Sequence, residues 1–375
     1  MRILAIDMGT GTQDILLFDS SGPVENCLKM IMPSATEIAA RRIRQATRDR
    51  RDVVLTGVTM GGGPCAWALE SHLKAGLRAY ATPEAAQTFD DDLTAVQAMG
   101  VTVVSEDEAR HFDDARPIEM ADLDLPAIRR ALAAFEVEGA FDGLALACLD
   151  HGAAPPGYSD RLFRFDHLRR VVEARNDLRA FAYLPQEVPD YLTRARAMLA
   201  CARGASAYGG SADTDLPTVF LDTGPAAALG ALQDPLVAGQ DEQLVLNLGN
   251  MHALAFHLRD TRILSLYEHH TGLLSSEEIE GLTQGLLAGT LLHEDVFDHH
   301  GHGVFYAEQP DGFRGDRPLV AVTGPQRGKL RRSGLRPYFA VPHGDMMISG
   351  CFGMVEAFAV KHPEHREEIE RALVG

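Results

Sequence analysis

The sequence predicts an α/β protein built from two units of similar design. Three observations predict it. First, an apolar run from Ile3 to Ile6 meets a Gly/Thr turn and returns as a second apolar run, Ile15 to Phe18, which is a β-hairpin around a tight turn. Second, the design recurs at Leu244 to Leu248, where the turn is Gly249-Asn250, and each hairpin is followed by alternating strand and helix patterns. Third, 375 residues are enough to bury two substantial cores. The expected units are 1–232, carrying insertions, and 233–375. No internal sequence repeat is obvious.

Element by element, Val24 to Met32 reads as a third strand. Ser34 to Glu37 then opens a helix with a capping-box pattern. Val53 to Thr59 is a buried-type strand ended by a triple glycine, and Cys65 to Ala75 is helical. Ala85 to Glu119 has no clear period and mixes short strands and helices. Ala127 to Val137 is a helix with Ile128, Leu132 and Phe135 on one face. Gly143 to Leu149 is a strand ending in Asp150-His151-Gly152, and 153–189 is a loop-and-helix insertion. Tyr191 to Arg203 is helical, and 204–216 is a small, polar, linker-like loop. A strand at Thr218 to Leu221 leads into an Ala-rich helix, Pro225 to Leu232. The second unit opens with strands at 243–248, 252–258 and 262–267, continues through helices to strands near 319–323 and 338–341, and closes with a long helix.

Composition narrows the function classes. A net charge of −18 argues against a nucleic-acid partner, because no concentrated basic patch exists to displace counterions. Five scattered cysteines show neither metal spacing nor a disulfide framework, and the first strand begins too early to leave room for a signal peptide, so a cytoplasmic protein is expected. No apolar stretch is long enough to span a bilayer, so no membrane partner is expected. A small-molecule substrate is expected, and a homodimer is left open.

The first hairpin carries chemistry. Gly9, Thr10, Gly11 and Thr12 let backbone N–H groups and hydroxyls approach phosphate oxygens closely. Asp7, at the strand end, suits Mg²⁺, a hard cation that prefers oxygen ligands. In order along the chain follow Leu221-Asp222-Thr223-Gly224-Pro225, Leu246-Asn247-Leu248-Gly249-Asn250, Val322-Thr323-Gly324-Pro325 and Ser349-Gly350-Cys351-Phe352-Gly353.

This ordered set resembles the actin/Hsp70/sugar-kinase superfamily. The resemblance implies duplicated ribonuclease-H-like (actin-like ATPase) domains around an interdomain cleft that binds ATP and Mg²⁺. It implies that Gly249 and Asn250 hold phosphates from the second domain, and that Thr323, Gly324 and Pro325 line the adenosine pocket. It further implies that two crossing helices begin near Asp222 and Gly350, the last helix of 233–375 crossing back toward the hinge, and that Asp222 orients or deprotonates a phosphate acceptor. The second hairpin departs from the pattern, since Asn247 stands where a carboxylate is usual. At finer grain, Asp150-His151-Gly152, Glu268-His269-His270-Thr271-Gly272 and His343-Gly344-Asp345-Met346-Met347 resemble a prokaryotic family of actin-like ATPases. Its members often carry the description "putative pyruvate formate-lyase activating enzyme". That chemistry needs three closely spaced cysteines for an iron–sulfur cluster, and here Cys27 and Cys65, the closest pair, are far apart. The implied activity is ATP-dependent phosphotransfer to a small molecule, or ATP hydrolysis coupled to domain closure. A nucleotide- or metal-sensing adaptor without catalysis is one alternative.

Fifteen histidines are many for this length. His269 and His270 end the strand that two reversals bring back beside the Gly249 turn, so they lie near the cleft. They suit a transition metal, acid–base work, or ordinary loop hydrogen bonding. A metal-dependent hydrolase or lyase built on them and on Asp150 is the other alternative. His299 to His302 read as ordinary loop residues. Arg161, Arg164 and Arg194 read as exposed helix charges, with an anion clamp as the sharper reading. Trp67 reads as a packing residue.

Overall fold

The structure, a computed structural model, describes residues 1–204, 216–310 and 318–374. Most of the predicted linker at 204–216 therefore lies outside the described residues. Two six-stranded mixed sheets and one four-stranded parallel sheet form the frame.

The first sheet has the order β3-β2-β1-β8-β10-β9. Its strands are β1 (Arg2–Met8), β2 (Thr12–Asp19), β3 (Leu28–Pro33), β8 (Gly143–Cys148), β9 (Ala182–Tyr183) and β10 (Thr218–Asp222). β1, β2 and β3 are antiparallel, whereas β8 runs parallel to both β1 and β10. The second sheet has the order β14-β13-β12-β11-β15-β16. It contains β11 (Gln243–Leu248), β12 (His252–Arg259), β13 (Arg262–His270), β14 (Gly303–Tyr306), β15 (Leu319–Thr323) and β16 (Tyr338–Phe339). Its β13-β12-β11-β15-β16 portion repeats the order and directions of β3-β2-β1-β8-β10. Two ribonuclease-H-like sheets thus give the duplicated actin-like architecture that the hairpins predict.

Of the third sheet, only the strand expected at Val53 to Thr59 is legible in the sequence. Strands β4 (Val53–Gly57), β5 (Ala79–Ala81), β6 (Val101–Val103) and β7 (Arg116–Met120) pair in parallel in the order β6-β5-β4-β7. The helix Ala35–Arg48 buries Ala39, Ala40, Ile43 and Ala46 in the same core. Three-residue strands such as β5 and β6 are too short to show a period, so this region reads as irregular.

Two helices occupy the middle of the molecule. Thr223–Ala231 is buried along nearly its whole length, as is Ser349–Lys361. They cross at glycine: a Cβ on Gly230 would collide with the Ser349 carbonyl, and one on Gly353 with the Ala226 carbonyl. One apolar cluster joins both sheets through them, including Ile3, Phe18, Val219, Val245, Phe256 and Phe352. The C-terminal crossing helix packs against β1, β8 and β10, so the chain returns to the first sheet after completing the second.

Several local expectations are corrected. Val24–Asn26 is a 3₁₀ turn, and the third strand begins at Leu28. Ser34 accepts the Glu37 N–H at 3.4 Å, while its own N–H goes to the Gly11 carbonyl, so the box is not reciprocal. The predicted helix at 127–137 ends at Ala133, and Phe135 is 83% exposed. Trp67 is 53% exposed and therefore not a core residue. Among the described residues, no helix is long and apolar enough to cross a membrane.

Candidate functional site

The two hairpin turns are closed in the same way. Gly9 N–H donates to the Thr12 carbonyl at 3.0 Å, and Gly249 N–H donates to the His252 carbonyl at 2.9 Å. The turns face one another: a Cβ on Gly11 would lie 2.7 Å from Asn250 Nδ2. Between them runs a cleft of about 110 Å³. Every predicted phosphate- or adenosine-holding residue except Gly11 lines it, and Gly11 sits at the turn contact with Asn250. Gly324 has φ +93°, and a side chain there would strike the end of β11, so the loop after β15 lies directly on the second hairpin.

Asp7 and Asp14 are register partners on β1 and β2 and both line the cleft. Directly opposed residues of an antiparallel pair share a face. Burial, together with neighbouring carboxylates, pushes both carboxyls up to about 7. Asp7 accepts the Thr223 hydroxyl at 2.7 Å, but Asp14 Oδ1 is buried with no partner. The second hairpin has Asn247 opposite Leu254 at the corresponding positions, so it carries no acid pair.

The predicted catalytic carboxylates are occupied. Asp222 caps the first crossing helix through the Gly224 N–H at 3.1 Å. It also receives both terminal nitrogens of Arg164, Nη2 at 3.0 Å from Oδ1 and Nη1 on Oδ2. Asp150 accepts the Gly152 and Ala195 N–H groups at 2.8 and 2.9 Å, tying the end of β8 to the helix Thr193–Ala202. Neither Asp222 nor Asp150 lines the cleft.

Arg164 is fully buried, which replaces the expectation of an exposed charge. Its other contacts are Glu268, at 3.2 Å from Nε, and the Asp150 carbonyl, at 3.3 Å. Burial in low dielectric is costly for a lone cation, so the two carboxylates are what keep the guanidinium there. Arg194 is likewise held by Asp122, with contacts of 2.7 and 3.1 Å, and reaches the Leu149 carbonyl at 2.8 Å. Arg161 reaches the Phe297 carbonyl at 3.0 Å and lies over that residue's ring.

Around Glu268 gather four imidazoles. β12 pairs with β13 so that His252 faces His270 and Leu254 faces Glu268. The two-residue period puts Glu268, His270 and His252 on one face and His269 on the other. His252 Nδ1 lies 3.1 Å from Glu268 Oε1. His302, immediately before β14, anchors its N–H on the Glu268 carbonyl. His151, from the end of β8, brings its Nε2 to 3.4 Å from His302 Nε2. One nitrogen from each of His151, His252 and His302 lies within 4.8 Å of the others, and the His270 ring centroid sits 4.7 Å from that of His302. Burial holds His151 well below the usual imidazole range, and burial lowers His302 to about 2 and His270 to about 4. His269 instead accepts the His270 N–H at 2.8 Å, and its Nε2 is buried without a partner.

Among the described residues, the group of three whose ligand atoms lie close enough together to hold a metal ion is His151, His252 and His302, and the expected pair His269 and His270 is not part of it. The C-terminal end of β13 does lie beside the Gly249 turn, as two strand reversals require, but direction alone does not separate the two faces of the strand. His302, expected as an ordinary loop residue, joins the trio, and the period of β13 is the signal that places His270 rather than His269 on the Glu268 face. A larger cavity of about 280 Å³ lies beside Leu144, Pro217 and His362, away from both sets of groups.

A family model matches residues 60–329, most of the chain. The chain belongs to the family described as "Putative pyruvate format-lyase activating enzyme (DUF1786)". In this DUF1786 chain all five cysteines are buried and free. No curated protein matches it. Two solved structures are similar at low identity. One is a ROK family transcriptional regulator, a homolog of the E. coli MLC protein: 10% identity, 70% of this chain and 38% of that chain, TM-score 0.25. The other is a ROK hexokinase from Thermus thermophilus: 12% identity, 70% of this chain and 49% of that chain, TM-score 0.24. The DUF1786 chain thus spans less than half the length of either solved chain it matches.

Proposed function

We propose that this protein binds a nucleoside triphosphate with Mg²⁺ in the cleft and couples its turnover to closure of two halves, 1–232 and 233–375. The observation that carries this reading is the pair of identically closed glycine turns meeting at Gly11 and Asn250 over the Asp7–Asp14 pair. The residues fit the group. The turns offer side-chain-free backbone where phosphates need close approach. Two buried, directly opposed carboxyls, one with an unpartnered oxygen, are an arrangement that a divalent cation relieves. Asp7 and Asp14 would hold Mg²⁺, Gly9 to Thr12 and Gly249-Asn250 the phosphates, and Thr323 to Pro325 the base and ribose. Bound Mg²⁺ supplies charge neutralisation for phosphoryl transfer.

A cleft of about 110 Å³ is well below the size of a typical small-molecule pocket. Entry of a nucleotide therefore requires the halves to open, and the glycine crossing of the two central helices is the natural pivot. Phosphotransfer to a small molecule additionally needs a free base. Asp222 would have to leave Arg164 to become one.

The test is isothermal titration calorimetry with a non-hydrolysable ATP analogue, with and without Mg²⁺, on wild type and Asp7→Asn. Mg²⁺-dependent binding that weakens at least tenfold in the variant is expected. No binding to either protein would remove the reading. A second reading, a nucleotide-gated adaptor without turnover, is favoured by Asn247 and Leu254 at the positions of the first acid pair. Nucleotide binding with no phosphate release over hours would select it.

A further inference from the structure

The geometry points to a transition-metal site formed by His151, His252 and His302, bridging the two sheets beside the nucleotide cleft. The histidines come from three separate places: the end of β8 in the first sheet, the start of β12, and the residue before β14. Their convergence is therefore a product of the fold and not of sequence proximity. Ligands of a four-coordinate Zn²⁺ lie 2.0–2.1 Å from the metal, which places ligand nitrogens about 3.3–3.4 Å apart. His151 Nε2 and His302 Nε2 are 3.4 Å apart. Two imidazole nitrogens at that distance can share one proton at most, whereas two lone pairs can both bind a metal.

The surroundings supply what such a site needs. Glu268 accepts from His252 Nδ1, which fixes the ring and leaves Nε2 as the ligand atom. A carboxylate behind a ligating histidine raises its basicity and orients it. Charge gives an independent argument. Arg164 is one positive charge between two buried carboxylates, Asp222 and Glu268, so these ion pairs leave one buried carboxylate charge uncompensated by the guanidinium. Uncompensated buried charge is costly, and a divalent cation on the trio offsets it. Imidazole ligands select Zn²⁺, Ni²⁺, Fe²⁺ or Co²⁺ over Mg²⁺ or Ca²⁺, so this site is chemically distinct from the Asp7–Asp14 pair. Three protein ligands leave a fourth position open. His252 belongs both to the trio and to the cleft wall, so that position borders the space where an anionic substrate would sit. Because His151 belongs to one sheet and the other two to the second, bound metal ties the sheets together.

The experiment uses the tag-free full chain, stripped with a chelator and titrated with Co²⁺ alone and with Zn²⁺ alone. Visible absorption reports Co²⁺ coordination, and competition with a chromophoric chelator gives the Zn²⁺ affinity. Expected are one ion per chain, the intense d–d bands of a four- or five-coordinate site, and a rise in melting temperature. His302→Asn and His151→Gln should each lower affinity at least 100-fold, while the exposed, remote His111→Ala should leave it unchanged. The site is overturned if the wild type takes up no stoichiometric metal, or if variants with native circular dichroism bind as the wild type does. Should both variants unfold, X-ray absorption on the wild-type Zn²⁺ complex decides: three imidazoles in the coordination shell sustain the site, and fewer than three overturn it. Metal uptake and nucleotide binding are read separately, so either proposal can fail alone.

Discussion

At the scale of single residues, Arg164 ties separate parts of the interior together. It is fully buried and holds Asp222, Glu268 and the Asp150 carbonyl together, linking the first crossing helix, β13 and the end of β8. Removing one member of a buried ion-pair network leaves the others uncompensated, which costs about 3–5 kcal/mol. Arg164→Met is therefore expected to lose roughly that much in urea unfolding, although its volume and hydrophobicity suit a core. Arg164→Lys should lie between, because an ammonium cannot present the two-pronged fork that meets both Asp222 oxygens. A loss under about 1 kcal/mol for Arg164→Met would show that the carboxylates are relieved by some other group. The role was invisible in the sequence because a lone arginine on a helix is usually solvated. Only the partner strands, more than 50 residues away in sequence at Asp222 and more than 100 at Glu268, reveal it.

At the scale of elements, the legible parts were those with strong local patterns. The Gly9–Thr12 and Gly249–Asn250 turns and the strands flanking them follow from composition and period, and the small-residue crossing helices from the family resemblance. Of the third sheet only β4 does, as an apolar run; β5, β6 and β7, of three to five residues, do not, since so few positions cannot display alternation. Likewise the strand-order argument put β13 at the cleft edge, yet choosing between adjacent His269 and His270 required the face of the strand. The crossing helices make a prediction at this scale. A Cβ on Gly353 meets the Ala226 backbone, which cannot swing away as a side chain can. Gly353→Ala should therefore destabilise by about 1–3 kcal/mol through overpacking, despite alanine's better helix propensity. Gly281 lies in the helix Ser276–Ala288 with open space around its Cβ position. Gly281→Ala should stabilise by about 0.5–1 kcal/mol. Opposite signs in chemical denaturation are expected, and equal signs would mean that the crossing is looser than its backbone contacts indicate.

At the scale of the whole molecule, two sets of buried groups act oppositely on acidification: histidines held neutral favour the unfolded chain, while the raised carboxyls of Asp7 and Asp14 favour the folded one. His167 is the cleanest case because it lies outside the proposed metal ligands. It is buried on the helix Asp160–Ala174 with Nδ1 3.0 Å from the Tyr191 hydroxyl and its ring against Phe181. Burial lowers it to about 3, and the nearby Arg164 and Arg170 act in the same direction, while Glu268 opposes them. An unfolded histidine titrates near 6.5. Between pH 6.5 and about 3 the unfolded chain therefore binds a proton at this position that the folded chain does not. Stability from this group is fully present above pH 6.5 and falls as pH drops through that window, by up to about 1.4 kcal/mol per pH unit. His151 and His302 titrate in both wild type and variant, so the difference between wild type and His167→Gln isolates one group. With chelator present throughout, unfolding free energies measured from pH 7.5 to 4.5 should converge as the solution is acidified, the variant being the less stable at neutral pH and the less pH-sensitive below 6.5. Curves that stay parallel down to pH 4.5 would show that the His167 pocket admits a proton without penalty, and that the core around Phe181 and Tyr191 is wetter than its packing indicates.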